Sequence, residues 1–210
     1  MKFQPDLSNP GDPQPLPTEL VSSPSVIKIL SGALDAIAER GVRRLSMSDI
    51  IEASGVSRGT LYRYFSNKDD VLAAVSEYVC IGFENGIKKA AEDSADPMER
   101  FRNVIEFYAR YTNENSPDRV FEVEPRFHLE FFRNRFLRYK VALREALKVS
   151  IDYIDRVLGQ PIDRDGFVEA LVRLQLSTLV VPADDDWLNR WNNIPDNIES
   201  WAMKFPRQFV

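Results

Sequence analysis

Between Leu45 and Val75 the chain reads "LSMSDIIEASGVSRGTLYRYFSNKDDVLAAV", three helix starts in close succession. Ser46, followed three residues later by Asp49, predicts a capped helix from Met47 to about Ala53, with Ile50 and Ala53 pointing inward. Ser54 and Gly55 break it. Ser57 caps a second short helix to about Phe65, and Asn67 caps a long third one from Lys68 to about Ala91, with Val71, Leu72, Val75, Val79 and Phe83 on its buried side. Two helices this short cannot be stable alone, so they must pack on a third element. Upstream, Val26, Ile29, Leu30, Ala33, Leu34 and Ile37 supply it at helical spacing, opened by Ser23-Pro24 and closed by Gly41. Gly32 in the middle of that helix costs roughly 1 kcal/mol of propensity, which leaves close packing or simple tolerance as its explanation.

No strand pattern interrupts the remainder. Pro97 to about Asn113, Glu124 to Leu158, Asp163 to Val181 and a Trp-containing tail from Asp185 to Lys204 all read as helices, parted by Ser116-Pro117, Gly159-Gln160-Pro161 and Val181-Pro182. Met1 to Pro24 holds six prolines among Gly and Asp, a composition that favours an extended, mobile arm. Nothing in that arm has the form of a secretory leader, and no stretch approaches a membrane-spanning run, so a cytoplasmic location is expected. With a single cysteine, Cys80, and a single histidine, His128, an internal disulfide is excluded and zinc chemistry is not expected. Glu124 and His128 share a helix face, but two ligands do not make a metal site, so neither metal nor cofactor is expected.

Charge narrows the choice of partner. The net charge of −5 opposes bulk coating of nucleic acid. The charge is uneven, however. Ser25 to Asp70 carries Lys28, Arg40, Arg43, Arg44, Arg58, Arg63 and Lys68 against Asp35, Glu39, Asp49, Glu52, Asp69 and Asp70, a net +1 that leaves −6 for the rest. A neutral to basic module on an acidic body suits a reader of specific DNA. Two short helices around a Gly turn, the second capped by Ser and rich in Arg, Thr and Tyr, have the make-up of a helix-turn-helix. With Val56, Leu61 and Phe65 facing the core, Arg58, Gly59, Thr60, Tyr62, Arg63 and Tyr64 are left to face the duplex. Arg pairs with guanine O6 and N7, Gly and Thr permit close approach to base edges, and Ser and Tyr hydroxyls bond phosphates.

"SDIIEASGVSRGTLYRYFSNKDDVL", preceded by "AIAERGVRRLSM", resembles the DNA-binding region of TetR-family transcriptional regulators, from about Lys28 to Leu72. Gly41, Ile50, Gly55, Val56, Ser57, Gly59, Leu61, Tyr62, Tyr64, Phe65, Lys68 and Leu72 sit at the family's spacing; Gly32, Ile37 and Ile51 depart from it at packing positions. The resemblance implies an all-α protein with an N-terminal three-helix DNA-binding domain (25–70) after the arm (1–24) and a ligand-binding and dimerisation bundle (71–210). It also implies a recognition helix from Arg58 to Phe65, Lys68 over a phosphate, a palindromic double-stranded operator and a homodimer. The expected DNA-binding set is Lys28, Arg43, Arg44, Ser46, Ser48, Ser57, Arg58, Gly59, Thr60, Tyr62, Arg63, Tyr64 and Lys68.

In the body, aromatics crowd the stretch from Phe101 to Tyr139, well above their 11% share of the chain. Core packing accounts for such residues, and so does a ligand pocket, here placed on Phe107, Tyr108, Tyr111, Phe127, Phe131 and Phe132 for an apolar or flat effector. The helix after Asp163 is apolar on two faces, Leu171, Leu174, Thr178 and Val181 on one and Val168, Val172, Gln175 and Leu179 on the other. The second face calls for a partner, either the same helix of another subunit or a deeper monomer core. Two other readings stay open: a regulator of this fold controlled by a protein partner, and a small-molecule enzyme in the helical body. The second lacks a nucleophile–base pair, a phosphate-cradling loop and a metal set, so no enzymatic activity is expected.

Overall fold

A computed structural model describes residues 23–114, 125–178, 181 and 184–205, and all of the regular structure among them is helical. The chain divides into two compact units, Met1–Tyr78 and Val79–Val210.

The first unit is built by its caps. α1 (Pro24–Arg40) starts on a proline and stops at Gly41, whose φ of 76° is open to glycine at little cost. α2 (Met47–Ser54) has a reciprocal cap. The Asp49 amide donates to Ser46 Oγ at 3.3 Å and the Ser46 amide to Asp49 Oδ2 at 2.9 Å. Gly55, left-handed at φ 66°, turns the chain into α3 (Arg58–Tyr64), where the Thr60 amide donates to Ser57 Oγ at 3.1 Å. α4 (Lys68–Glu92) begins with a second reciprocal pair, the Asp70 amide to Asn67 Oδ1 at 2.9 Å and the Ser66 amide to Asp70 Oδ2 at 3.0 Å.

Val26, Ile29, Leu30, Ala33, Ile50, Leu61 and Val71 are fully buried together with Phe65 and Ala74, and each larger side chain contributes about 1.5–3 kcal/mol. Ala53, expected inward, is exposed, and Val56, Leu72 and Val79 are only half-buried. At Gly32 close packing is the explanation. A Cβ there would lie 2.5 Å from Ser54 Cα and N, so only glycine lets α1 and α2 approach this closely.

The second unit contains the rest of α4, α5 (Pro97–Glu114), α6 (Pro125–Ala146), α7 (Lys148–Leu158), α8 (Arg164–Ser177), α9 (Asp185–Asn192), a 3₁₀ turn (Pro195–Asn197) and α10 (Ile198–Ala202). Phe101, Val104, Ile105, Leu143, Leu147, Phe167, Val168, Leu171 and Val172 form its centre, and the Trp191 indole donates to the Ile105 carbonyl at 3.2 Å.

Three expectations are corrected. The helix expected to run unbroken to Leu158 is interrupted at Leu147 (φ −86°, ψ −1°), although the backbone bonds to Leu143 and from Ile151 persist on either side. The tail is not one helix, because Pro195 has no amide hydrogen to continue α9. α8 ends at Ser177, where the Ser177 and Thr178 hydroxyls turn back onto the carbonyls of Leu174 and Gln175 at 2.6 and 2.7 Å. The Met1–Pro24 arm, apart from its last two residues, and Glu124 lie outside the described residues, as do the side chains of Phe127, His128 and Trp201. Among the described residues no helix is long and apolar enough to cross a membrane, and no group of side chains is arranged to hold a metal ion.

Candidate nucleic-acid interface

The inner side of α3 is fixed by Leu61, fully buried, and by Phe65 just beyond its end. Residues four apart share a helix face. Gly59 and Arg63 are such a pair, both exposed, and they lie opposite Leu61. Arg58 and Tyr62, again four apart, flank them on one side. The Arg58 guanidinium lies 5.6 Å from the centre of the Tyr62 ring, which is 43% exposed. Thr60 and Tyr64, half-buried, flank them on the other side. Among the described residues only Ser57 Oγ, at 3.9 Å, comes within 4 Å of where a Cβ on Gly59 would lie, so a base edge could come close to the backbone there.

Of the other expected contact residues, Lys28, Arg43, Arg44, Ser46, Ser48 and Ser57 are exposed. Ser46 and Ser57 already use their hydroxyls, Ser46 on Asp49 at 2.7 Å and Ser57 on Thr60 at 2.8 Å. They act first as caps. Asp49 is held below the usual carboxylate range chiefly by the Ser46 hydroxyl and amide, with Arg40 adding its charge. Arg40 pairs with Asp49 and reaches Glu52 at 3.6 Å, setting α1 against α2. Lys68 is half-buried, and its ammonium donates to the Val42 carbonyl at 3.2 Å, anchoring the turn that carries Arg43 and Arg44 while keeping two protons for other acceptors.

Sequence reasoning missed Ser23. Its side chain is the main reason the Tyr64 phenol sits below its ordinary pKa, with Arg63 second. No spacing rule links residues at opposite ends of the three-helix unit, so no local signal could have found this contact.

In the second unit five of the residues named for a pocket, Phe107, Tyr108, Tyr111, Phe131 and Phe132, are linked by ring contacts through Phe83 and Tyr139. Phe83 is their hub, with ring centres 5.5 Å from Tyr108, 5.5 Å from Tyr111, 4.6 Å from Tyr139 and 6.2 Å from Phe107. Phe131 and Phe132 meet at 5.3 Å, and Phe132 reaches Tyr139 at 6.5 Å. Of two glycines one turn apart on α4, Gly86 makes room and Gly82 does not need to. A Cβ at Gly86 would collide with the Phe107 ring, and one at Gly82 would lie 3.4 Å from Tyr111 Oη. Burial pushes the Tyr108 and Tyr139 phenols well up, keeping both as neutral donors. Tyr111 donates to the Val79 carbonyl at 2.8 Å, and Arg138 grips Glu84 through two nitrogens. A separate cleft of about 410 Å³, lined by Met98, Tyr153, Val157 and the 195–200 turn, includes none of the expected pocket residues.

Leu171 and Val172, expected at a dimer seam, are fully buried within this single chain; Leu174 and Thr178 are half-buried, and Val181 is 71% exposed. An apolar two-faced helix fits an intrachain core and an interchain seam equally well by periodicity, and here the core takes Leu171 and Val172.

Residues 29–75 match the family model for bacterial regulatory proteins of the tetR family. Over 182 residues the chain is 24% identical to a fatty acid metabolism regulator protein of Bacillus subtilis, covering 86% of this chain and 84% of that protein. Among solved structures it is similar to the TetR family transcriptional regulator PfmR of Thermus thermophilus, with a TM-score of 0.55 at 23% identity over 87% of this chain and 97% of that one. It is also similar to the fatty acid degradation regulator FadR of Bacillus halodurans, with a TM-score of 0.57 at 20% identity over 82% and 97%. At these identities the structural likeness establishes the fold.

Proposed function

We propose, from the premise that this chain is a DNA-binding transcriptional regulator of the TetR family, that it acts as a homodimeric repressor released from a palindromic operator by a small apolar effector. The observation that carries this reading is the outward face of α3, where Gly59 and Arg63 stand opposite a buried leucine with Arg58 and Tyr62 beside them. A helix so disposed fits the major groove, the one groove where all four base pairs are distinguishable. Lys28, Arg43, Arg44 and Lys68 would position the domain on phosphates.

A twofold dimer would present two α3 helices to half-sites about 34 Å apart, or a multiple of that. Among the described residues named for a seam, Leu174, Thr178 and Val181 are not fully buried and would face a second subunit. The effector would enter the aromatic cluster around Phe83, with Phe107, Tyr108, Tyr111, Phe131 and Phe132 as its wall and Phe127 as a further member. The names of the two fatty-acid regulators make an acyl chain the first effector to try. α4, which runs through both units, would carry the coupling. An effector that weakens operator binding by a given factor must bind the operator complex more weakly by the same factor, and it must prefer one conformation over the other.

The test is selection from a random duplex library, followed by titration of the selected site with and without acyl, aromatic and steroid-like compounds. The reading expects an enriched inverted repeat whose affinity falls with at least one compound class. Enrichment of a repeat that no compound affects would leave a DNA reader without a small-molecule effector and favour control by a protein partner. Failure to enrich any sequence would remove the operator itself.

A further inference from the structure

Arg63, an exposed cation on the outward face of α3, is not loose. The Arg63 guanidinium lies 4.7 Å from the centre of the Tyr64 ring, and its Nη2 donates to Tyr64 Oη at 3.0 Å. Tyr64 itself is half-buried at the end of α3, one residue before the buried Phe65, so its ring has a fixed seat while Arg63 is exposed. A long, flexible side chain that must read a base edge loses rotamer freedom when it binds, and stacking on a seated ring removes part of that cost in advance.

We infer that Tyr64 is a positioning residue for sequence reading: its ring and hydroxyl together brace the Arg63 guanidinium on the outward face of α3. This rests on the reading of Arg63 as a base-contacting residue. Tyr64 thus acts through Arg63, and its own contact with a phosphate is the rival account. The two differ in a measurable way. A phosphate contact by Tyr64 would weaken all sequences alike and would not depend on Arg63. A brace affects the base pair that Arg63 reads, and it has nothing to brace once Arg63 is gone.

The experiment uses the full chain and a duplex selected from a random library by the wild-type protein. Affinity for that duplex, and for variants at each of its base pairs, is measured for Tyr64→Phe, Arg63→Ala and the double variant. Tyr64→Phe keeps the ring in its seat and removes only the oxygen. The brace predicts a loss of about two- to fivefold on the selected duplex, part of what freeing one rotamer-rich side chain would cost, because the ring still stacks. It also predicts reduced discrimination at the base pair affected by Arg63→Ala, and no further loss when Tyr64→Phe is added to Arg63→Ala. Unchanged thermal unfolding of both single variants separates bracing from folding. A uniform loss over all base pairs, or an equal loss in the Arg63→Ala background, would overturn the brace in favour of a direct phosphate contact. Unchanged sequence preference for Arg63→Ala would instead overturn the base-reading assignment on which the brace rests.

Discussion

Replacing Gly32 with alanine should destabilise the protein even though alanine is the better helix former. In an exposed helix the exchange gains about 0.8–1.0 kcal/mol. At Gly32 the new methyl would stand 2.5 Å from both Cα and N of Ser54. Those are backbone atoms in the last turn of α2, just before the left-handed Gly55, and they cannot swing aside as a side chain would. Overpacking of this kind costs typically about 1–3 kcal/mol, and a backbone neighbour places it toward the upper end. The balance is a net loss of about 1–2 kcal/mol. Gly82→Ala is the internal control, because its Cβ would meet nothing closer than Tyr111 Oη at 3.4 Å, and it should stabilise by about 0.5–1 kcal/mol. Urea titration followed by far-UV circular dichroism gives both values. If Gly32→Ala stabilises as much as Gly82→Ala, the close approach of α1 and α2 is not what holds glycine at that position.

Tyr108 and Tyr139 have pKa values raised by burial, so their stabilising effect is complete below the ordinary tyrosine value of about 10 and is lost as pH rises above it. Stability should fall above about pH 10 by roughly 1.4 kcal/mol per pH unit for each, and Tyr139→Phe should flatten that slope in a pH series of urea titrations. Leu174→Glu and Val181→Glu should yield folded monomers by light scattering, whereas Leu171→Glu should unfold the second unit, because it buries an unpaired charge in the intrachain core. Equal dimer content in the first two would move the seam elsewhere. Lys68→Ala should lower the salt slope of DNA binding by about one unit while leaving sequence preference intact. It should also loosen the Val42 turn, read as faster amide exchange at Arg43 and Arg44.

What the sequence made legible was mostly local. Ser46, Ser57 and Asn67 announced their helices because a cap acts within three residues, and Gly41 and Gly55 announced their ends for the same reason. α3 and its exposed residues could therefore be placed almost to the residue. What stayed hidden depends on contacts distant in sequence. Close packing and simple tolerance explain Gly32 equally well from sequence, and only Ser54 beside it decides between them. The partner of an apolar helix face is equally invisible to periodicity, so only the fold decides between a seam and the core for Leu171 and Val172, in favour of the core. Pro195 is different, since its missing amide is plain from the residue type and the tail could have been broken there from sequence alone.

The central claim is that α3 reads base edges in the major groove, and methylation interference tests it most directly. On a duplex selected by the wild-type chain, methylating N7 of a guanine in each half-site should block binding, because N7 lies in the major groove where arginine pairs with it. The same methylation should cost Arg63→Ala or Arg58→Ala little at the guanine that residue reads. Interference confined to minor-groove positions, or a pattern identical for both arginine variants and the wild type, would contradict the account.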